Sequence, residues 1–454
     1  MLISKYTFLF KNDEQCYAYN TLSNALLEID AESYDIIYQA EQTNFIVTQD
    51  MIDKELFSAL LDANILTHSD EDDYLKYKSA IYAMRRQTHS MHLTIAPTMD
   101  CCFRCDYCFE KYKDNKYMSE TVMESIIQYV LSQKELKIIK ITWFGGEPLM
   151  ALDEMEKFYD HFIKRCHLPT ISNIITTGYH IDHKTIQVLK KIQISSIQIT
   201  IDGIGNTHNK IKNHKTDQDV FSRVMNNIDL LGQEAPEINV VIRVNLTHEN
   251  KNEYTQLVDL CSERFAKYRN IRISPAFVLD RGTSDCKKCS VESSLFNHKD
   301  RADFIIKLAN KGYYSHFTNY PNPFFYECAI RDTMAIAFDP EGYAYKCWEV
   351  IGNKDYAIGK LSEDGKIIDY NETILNRHLY GADHLEDNTC RKCKYLPICS
   401  GGCPIQRIEN KFEGGHNCTC THYKGYMADF LKIHLKRKQL LADSNNKLCH
   451  TTET

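Results

Sequence analysis

No window of the 454-residue sequence approaches 18 consecutive apolar residues, so no membrane-spanning helix and no membrane partner are expected. Lysines and arginines number 54 against 61 aspartates and glutamates, a formal charge of −7, and no basic block interrupts that balance. Without an electropositive stripe, a nucleic-acid partner is not expected either. The first ten residues are interrupted by Lys5 and lack a small-residue cleavage site, so they do not read as a secretion signal, and a cytoplasmic location is the expectation. Composition is otherwise ordinary, 43% hydrophobic and 25% charged, which excludes a disordered or fibrous chain. At this length about three domains are expected.

What is abundant is cysteine. Of 18 cysteines, four fall in the eight residues from Cys101 to Cys108 and eight lie between Cys328 and Cys420. Two dense groups in a chain without a secretion signal point to metal rather than disulfides. Cys16, Cys166, Cys261 and Cys449 stand apart and read as ordinary thiols.

Between these groups the chain alternates two periodicities. Short apolar runs at 92–96, 138–144, 173–177, 196–202, 239–246 and 271–277 read as strands. Amphipathic stretches at 119–133, 155–165, 184–191, 221–231 and 254–264 read as the helices between them. Six β/α repeats imply an α/β fold with a parallel sheet, open or curled into a partial barrel, whose ligands sit at the strand C-terminal ends. Ahead of them, strand-like runs at 5–10, 16–19 and 25–29 and helical runs at 31–42 and 49–63 predict a small three-stranded, helix-backed module. Residues 69–86, charged and free of Gly and Pro, read as a helical linker. After about residue 280 the pattern gives way to loops.

The first proposed barrel strand is followed by Cys101-x3-Cys105-x2-Cys108. Thiolates so closely spaced suit an iron–sulfur cluster, and three ligands to a four-iron cube leave one iron open to substrate or cofactor. A zinc knuckle is the alternative, although zinc usually takes four closed ligands. The spacing, with Tyr107 before the last cysteine, resembles the radical S-adenosylmethionine superfamily. By that resemblance Gly145, Gly146, Glu147 and Pro148, ending the second strand, would hold the amino group of S-adenosylmethionine, the glycines by close backbone approach and Glu147 by its charge. Thr177 in the Thr176-Thr177-Gly178 turn ends the third strand. Thr200 and Asp202 in Thr200-Ile201-Asp202-Gly203 end the fourth and would lie near the ribose hydroxyls. Arg243 and Asn245 on the fifth would serve the carboxylate and ribose. Cys102 stands where relatives commonly have Asn, which leaves a shifted cysteine register as the alternative to Cys101.

The C-terminal cysteines, Cys328, Cys347 after Gly342, then Cys390, Cys393, Cys399, Cys403, Cys418 and Cys420, resemble the SPASM domain of radical S-adenosylmethionine peptide maturases, which carries two auxiliary four-iron clusters. The resemblance implies three [4Fe–4S] clusters in all. Cys328, Cys347 and Cys403 would hold the first auxiliary cluster, its fourth position open or filled by Cys286 or Cys289. Cys390, Cys393 and Cys399 with Cys418 or Cys420 would hold the second. A zinc ribbon on Cys390, Cys393, Cys399 and Cys403 is the alternative.

Residues 1–75 resemble the PqqD-like, winged-helix-like leader-recognition element fused to such enzymes. A leader peptide would add as a strand beside residues 25–30. The implied organisation is 1–75 recognition module, 76–90 linker, 91–300 partial (β/α)6 TIM-like core, 301–425 SPASM domain and 426–454 C-terminal helix and tail. The implied activity is radical modification of a ribosomally made precursor peptide, with a thioether or other cross-link as product and a flavodoxin or ferredoxin as electron donor. A sulfatase maturase, forming formylglycine, is the alternative within the superfamily. Those enzymes carry an Asp directly after the cysteine that Cys347 matches, whereas Trp348 follows here and Glu349 is one position late. A non-enzymatic zinc-binding peptide adaptor is the alternative of another class.

Overall fold

The computed structural model describes residues 1–110, 114–278, 295–314 and 320–450, so Cys286 and Cys289 lie outside the described residues. The chain folds as two compact units. One comprises Met1–Met84, Asn297–Glu327 and Ala382–Thr454, the other Arg85–Phe296 and Cys328–Gly381.

The first unit opens with an antiparallel sheet of β2 (Thr7–Asn12), β3 (Gln15–Asn20) and β4 (Leu26–Ile29), ordered β2-β3-β4, beside a two-residue pairing of β1 (Leu2–Ile3) with β5 (Leu66–Thr67). Helices α1 (Ala31–Thr43) and α2 (Lys54–Asp62) follow, and a core of Ala18, Ile37, Val47, Leu60 and Ile65 joins them to the sheet. The helix expected from residue 49 starts instead at Lys54. Asp53 accepts hydrogen bonds from the N–H groups of Glu55 and Leu56, satisfying donors that a helix leaves free at its start.

The segment read as a linker is α3 (Asp70–Arg85), and it is not a free connector. Tyr74, Tyr77 and Ile81 form a buried cluster with Tyr6, Leu385 and Leu396, and the Tyr74 hydroxyl donates to the Leu385 carbonyl. The Thr21 hydroxyl likewise donates to Lys394 O (2.7 Å). The N-terminal module and the late cysteine segment therefore share one hydrophobic core.

The second unit carries the six expected strands, with helices in the five connections between them. Strands β6 (Ser90–Ile95), β7 (Ile138–Trp143), β8 (Thr170–Thr176), β9 (Ile194–Thr200), β10 (Asn239–Leu246) and β11 (Ile271–Phe277) lie side by side in sequence order, every neighbour parallel. Between them run α4 (Glu120–Ser132), α5 (Leu152–Ile163), α6 (His183–Lys191), α7 (Asn206–Lys212) with α8 (Val220–Glu234), and α9 (Tyr254–Arg264). Ile139, Ile141, Ile197, Ile199, Val240 and Ile242 are buried, as a sheet covered by helices requires. Helix α10 (His298–Asn310) belongs to the first unit. The chain then returns to the second, where β12 (Ala335–Phe338) adds parallel to β6, and β13 (Tyr343–Tyr345), β14 (Gly359–Leu361) and β15 (Ile367–Ile368) extend the sheet antiparallel. The result is a ten-stranded, mostly parallel α/β sheet. The stretch expected as one domain at 301–425 is divided between the units, Cys328 and Cys347 in the second and Cys390 to Cys420 in the first.

Candidate active site

The cysteine loop leaves the end of β6 and is met by the loop leaving β7. The N–H groups of Gly146 and Glu147 donate to Thr98 O (3.1 Å) and Asp100 O (2.8 Å). A β-carbon on Gly146 would stand 2.1 Å from Asp100 O, and one on Gly145, whose φ is +105°, 2.6 Å from Thr98 O. Close approach is thus required here by the neighbouring cysteine loop itself, not only by a ligand.

Glu147 is fully buried. One carboxylate oxygen accepts from Leu149 N–H (3.0 Å) and the Thr176 hydroxyl (2.6 Å), the other from Thr177 N–H (2.8 Å) and the Thr177 hydroxyl (2.6 Å). A carboxylate offers about four lone-pair sites, so this one is filled by the protein. The charge anticipated for ligand contact instead caps the short helix Pro148–Ala151 and ties the end of β7 to the end of β8.

At the end of β9, Asp202 is fully buried. It accepts from the Tyr107 hydroxyl (2.5 Å) and from Asn245 N–H (3.1 Å), and its other near neighbour is the Lys212 ammonium at 3.1 Å. Lys212 Nζ also donates to the Tyr107 oxygen (2.9 Å). Burial alone pulls the Lys212 ammonium down, but Asp202 and Tyr107 outweigh it and hold its pKa well above the ordinary lysine value. Burial, reinforced by Asp202, pushes the Tyr107 phenol well above its usual range. Removing one member of such a buried ion pair typically costs about 3–5 kcal/mol. Asn250 donates to the backbone carbonyls of Asp202 and Asn245 (both 2.8 Å), and Arg243 Nε donates to the Asn245 side chain (2.9 Å). Tyr107, Asp202, Arg243 and Asn245 are thus brought into one network, with Glu147 and Thr177 in a second one beside the cysteine loop.

Cys101 is buried and its sulfur accepts from Phe103 N–H (3.4 Å); amide–sulfur bonds of this kind favour a ligating thiolate. Cys105 Sγ lies 3.6 Å from Lys212 O and Cys108 Sγ 3.9 Å from Glu110 O. Cys102 Sγ stands instead 3.4 Å from His180 Nε2, and burial, with Glu147 and Cys101 adding, pushes its thiol up to about 12. Among the described residues no three His, Cys, Asp or Glu side chains are arranged to hold a single metal ion. Three thiolates on one loop fit a four-iron cube, which takes each at a separate corner.

In the first unit, Cys390 receives Arg407 (3.5 Å), Cys420 receives Lys424 Nζ (3.6 Å), and Cys399 lies within electrostatic range of Cys420 and Cys390. Cys418 is paired elsewhere, with His298 Nδ1 at 3.5 Å. Three groups escaped the sequence reading: Lys212, Asn250 and His208, whose Nδ1 accepts from Asp202 N–H (3.1 Å). Asp-Gly followed within ten residues by a histidine and a lysine was the only signal for His208 and Lys212, and nothing in the sequence pointed to Asn250.

A parallel sheet of this order, with three cysteines on the loop after its first barrel strand, is the radical S-adenosylmethionine α/β fold, and residues 95–261 match the family described as the Radical SAM superfamily. The chain carries that domain and is an enzyme. It is 21% identical to the cysteine-type anaerobic sulfatase-maturating enzyme of Clostridium novyi over 74% of this chain and 94% of the relative. It is also 21% identical to the radical SAM cyclopropyl synthase TigE of Paramaledivibacter caminithermalis, over 91% of each chain. Among solved structures, native anSMEcpe with bound AdoMet superposes at a TM-score of 0.57 and 18% identity, covering 78% of this chain and 99% of that one. Streptococcus suis SuiB bound to precursor peptide SuiA gives 0.50 and 14%, covering 92% and 99%.

Proposed function

We propose that the protein is a radical S-adenosylmethionine maturase of a ribosomally made precursor peptide, and that it joins a cysteine sulfur to a carbon of that peptide. The observation that carries this is the N-terminal sheet, in which β4 pairs with β3 alone among the described strands and so leaves an edge for an added strand. The likenesses to TigE and SuiB extend over 91% and 92% of the chain, against 74% and 78% for the sulfatase-maturating relatives, which supports a partner whose recognition involves the additional length.

Cys101, Cys105 and Cys108 would hold the cluster, with Tyr107, Gly145, Gly146, Thr177, Thr200, Asp202, Arg243 and Asn245 around S-adenosylmethionine. Cys390, Cys393, Cys399 and Cys420 would hold an auxiliary cluster, Cys420 being preferred because Cys418 faces His298. When bound, these groups would supply a 5′-deoxyadenosyl radical to take one hydrogen atom from the target carbon and an acceptor for one electron, so that the C–S bond would replace a C–H and an S–H bond with the thiol proton passing to solvent. A flavodoxin or ferredoxin would supply the reducing electron.

Formylglycine formation is the second reading, favoured by the match to the sulfatase-maturating enzymes. Against it, the residue after Cys347 is Trp348, whose ring stacks on Phe144 (5.6 Å between centroids) and offers no base. Deleting the module is a poor test, because Tyr6, Tyr74 and Tyr77 complete the core around Leu385 and Leu396. Counting alternation from the Asn20 N–H to Ala25 O bond, the Glu28 N–H points away from β3. Glu28→Pro should therefore weaken binding of a leader-bearing precursor while leaving cleavage of S-adenosylmethionine alone unchanged. Equal precursor affinity would remove strand addition from the mechanism, and turnover of a sulfatase peptide would favour formylglycine.

A further inference from the structure

The cysteine loop is held from outside by a segment that matches none of the motifs above. Beyond α7, Asn213 adopts a left-handed conformation (φ 46°), and the chain turns back along the loop. Arg104 N–H donates to Lys212 O (3.3 Å) and Asn213 O (3.1 Å), and Lys215 N–H donates to Cys102 O (3.1 Å). Phe103 and His214 form a β-bridge, their rings 4.9 Å apart. From this strap the Lys212 side chain turns inward; it is 4% exposed and ends between Tyr107 and Asp202. Tyr107 belongs to the cysteine loop, Asp202 to the end of β9, and the ammonium touches both.

We propose that Lys212 is a positioning residue, which locks Tyr107 to Asp202 and thereby sets where the cysteine loop stands relative to the end of β9. A surface lysine could not do this, because water would satisfy its donors. Here the two oxygens it meets are themselves joined by a 2.5 Å hydrogen bond, so the three groups form a closed triangle whose corners cannot move independently. The consequence for S-adenosylmethionine rests on the function proposed above; the clamp itself does not.

The test is hydrogen exchange of the loop amides in the full-length chain without cofactors, followed by S-adenosylmethionine binding by equilibrium dialysis after cluster reconstitution. Lys212→Met should raise exchange across residues 101–108 by about tenfold, and Lys212→Arg, which keeps the charge, should restore much of the protection. Binding should weaken in Lys212→Met and in Tyr107→Phe, and the double variant should lose no more than the worse single one, because the two act as a unit. Should the stranded Asp202 carboxylate prevent folding of Lys212→Met, the Lys212→Met, Asp202→Asn pair removes that charge, and the same rise in loop exchange is expected. Parent-like exchange in these variants, or fully additive binding losses, would overturn the proposal. If the parent binds no S-adenosylmethionine, the proposed function fails while loop exchange still decides the clamp.

Discussion

Replacing Glu147 by glutamine exchanges one oxygen for an amide nitrogen, yet the site has no place for that nitrogen. Each carboxylate oxygen accepts one hydroxyl, which can rotate to become an acceptor, and one backbone N–H, which cannot: Leu149 on one side, Thr177 on the other. Whichever way the amide is turned, a buried N–H faces another donor, at a cost of about 1–3 kcal/mol. The remaining bonds also lose the reinforcement of a full charge, while burying a neutral amide costs less than burying a carboxylate. The net expectation is a loss of about 2 kcal/mol, or about 4–8 °C in the thermal midpoint for a unit of this size. Both tryptophans of the chain, Trp143 and Trp348, lie in the second unit, so intrinsic fluorescence follows its unfolding specifically. Thr177→Val, which removes one hydroxyl but spares both N–H bonds, should cost less. A Glu147→Gln protein melting within about 1 °C of the parent would refute the claim that this carboxylate is saturated by the protein.

Cys101→Ala, Cys105→Ala and Cys108→Ala should each abolish 5′-deoxyadenosine formation and lower iron per chain, whereas Cys102→Ala should retain both; the reverse pattern for 101 and 102 would shift the register. Gly146→Ala forces a β-carbon into Asp100 O and should cost about 3 kcal/mol or more, read as a lowered fluorescence midpoint. His378 is fully buried, faces the Lys346 and Arg331 cations, and has no hydrogen-bond partner for either ring nitrogen among the described residues. Burial, with those cations adding, lowers its pKa to about 4, so between that value and the ordinary 6.5 the unfolded chain binds the extra proton. Stability present above pH 6.5 should therefore fall as pH drops toward 4, by up to about 3 kcal/mol, and His378→Leu should flatten that part of a denaturant-midpoint profile against pH.

The parallel sheet was legible because its strands are short runs rich in Ile and Val, most with alternate residues buried, set between amphipathic helices; the expected 239–246 and 271–277 coincide with β10 and β11. Ends moved where local hydrogen bonding outweighed pattern, as at Asp53. Helix α3 reads as a connector for a physical reason: its polar composition resembles a solvated segment, and only the fold reveals that Tyr74 and Tyr77 point into a core completed some 300 residues later. The residues around the candidate site were legible as motifs, but their partners were not. Nothing in a lysine near the end of a short helix distinguishes an ion pair buried against Asp202 from a solvated side chain.

The shared core of the first unit has a consequence for synthesis. The module up to Ile65 has a cluster of its own and can close as soon as it leaves the ribosome. Tyr74, Tyr77 and Ile81 must wait for Leu385 and Leu396, and at ordinary translation rates of about 5–20 residues per second that is roughly 15–60 s. Throughout that interval the nascent chain displays an aromatic face of α3 while the barrel forms behind it. Slowed elongation between residues 85 and 381 should therefore increase chaperone capture of the growing chain, and the cysteines from Cys390 to Cys420 reach the solvent only when that face is about to be covered.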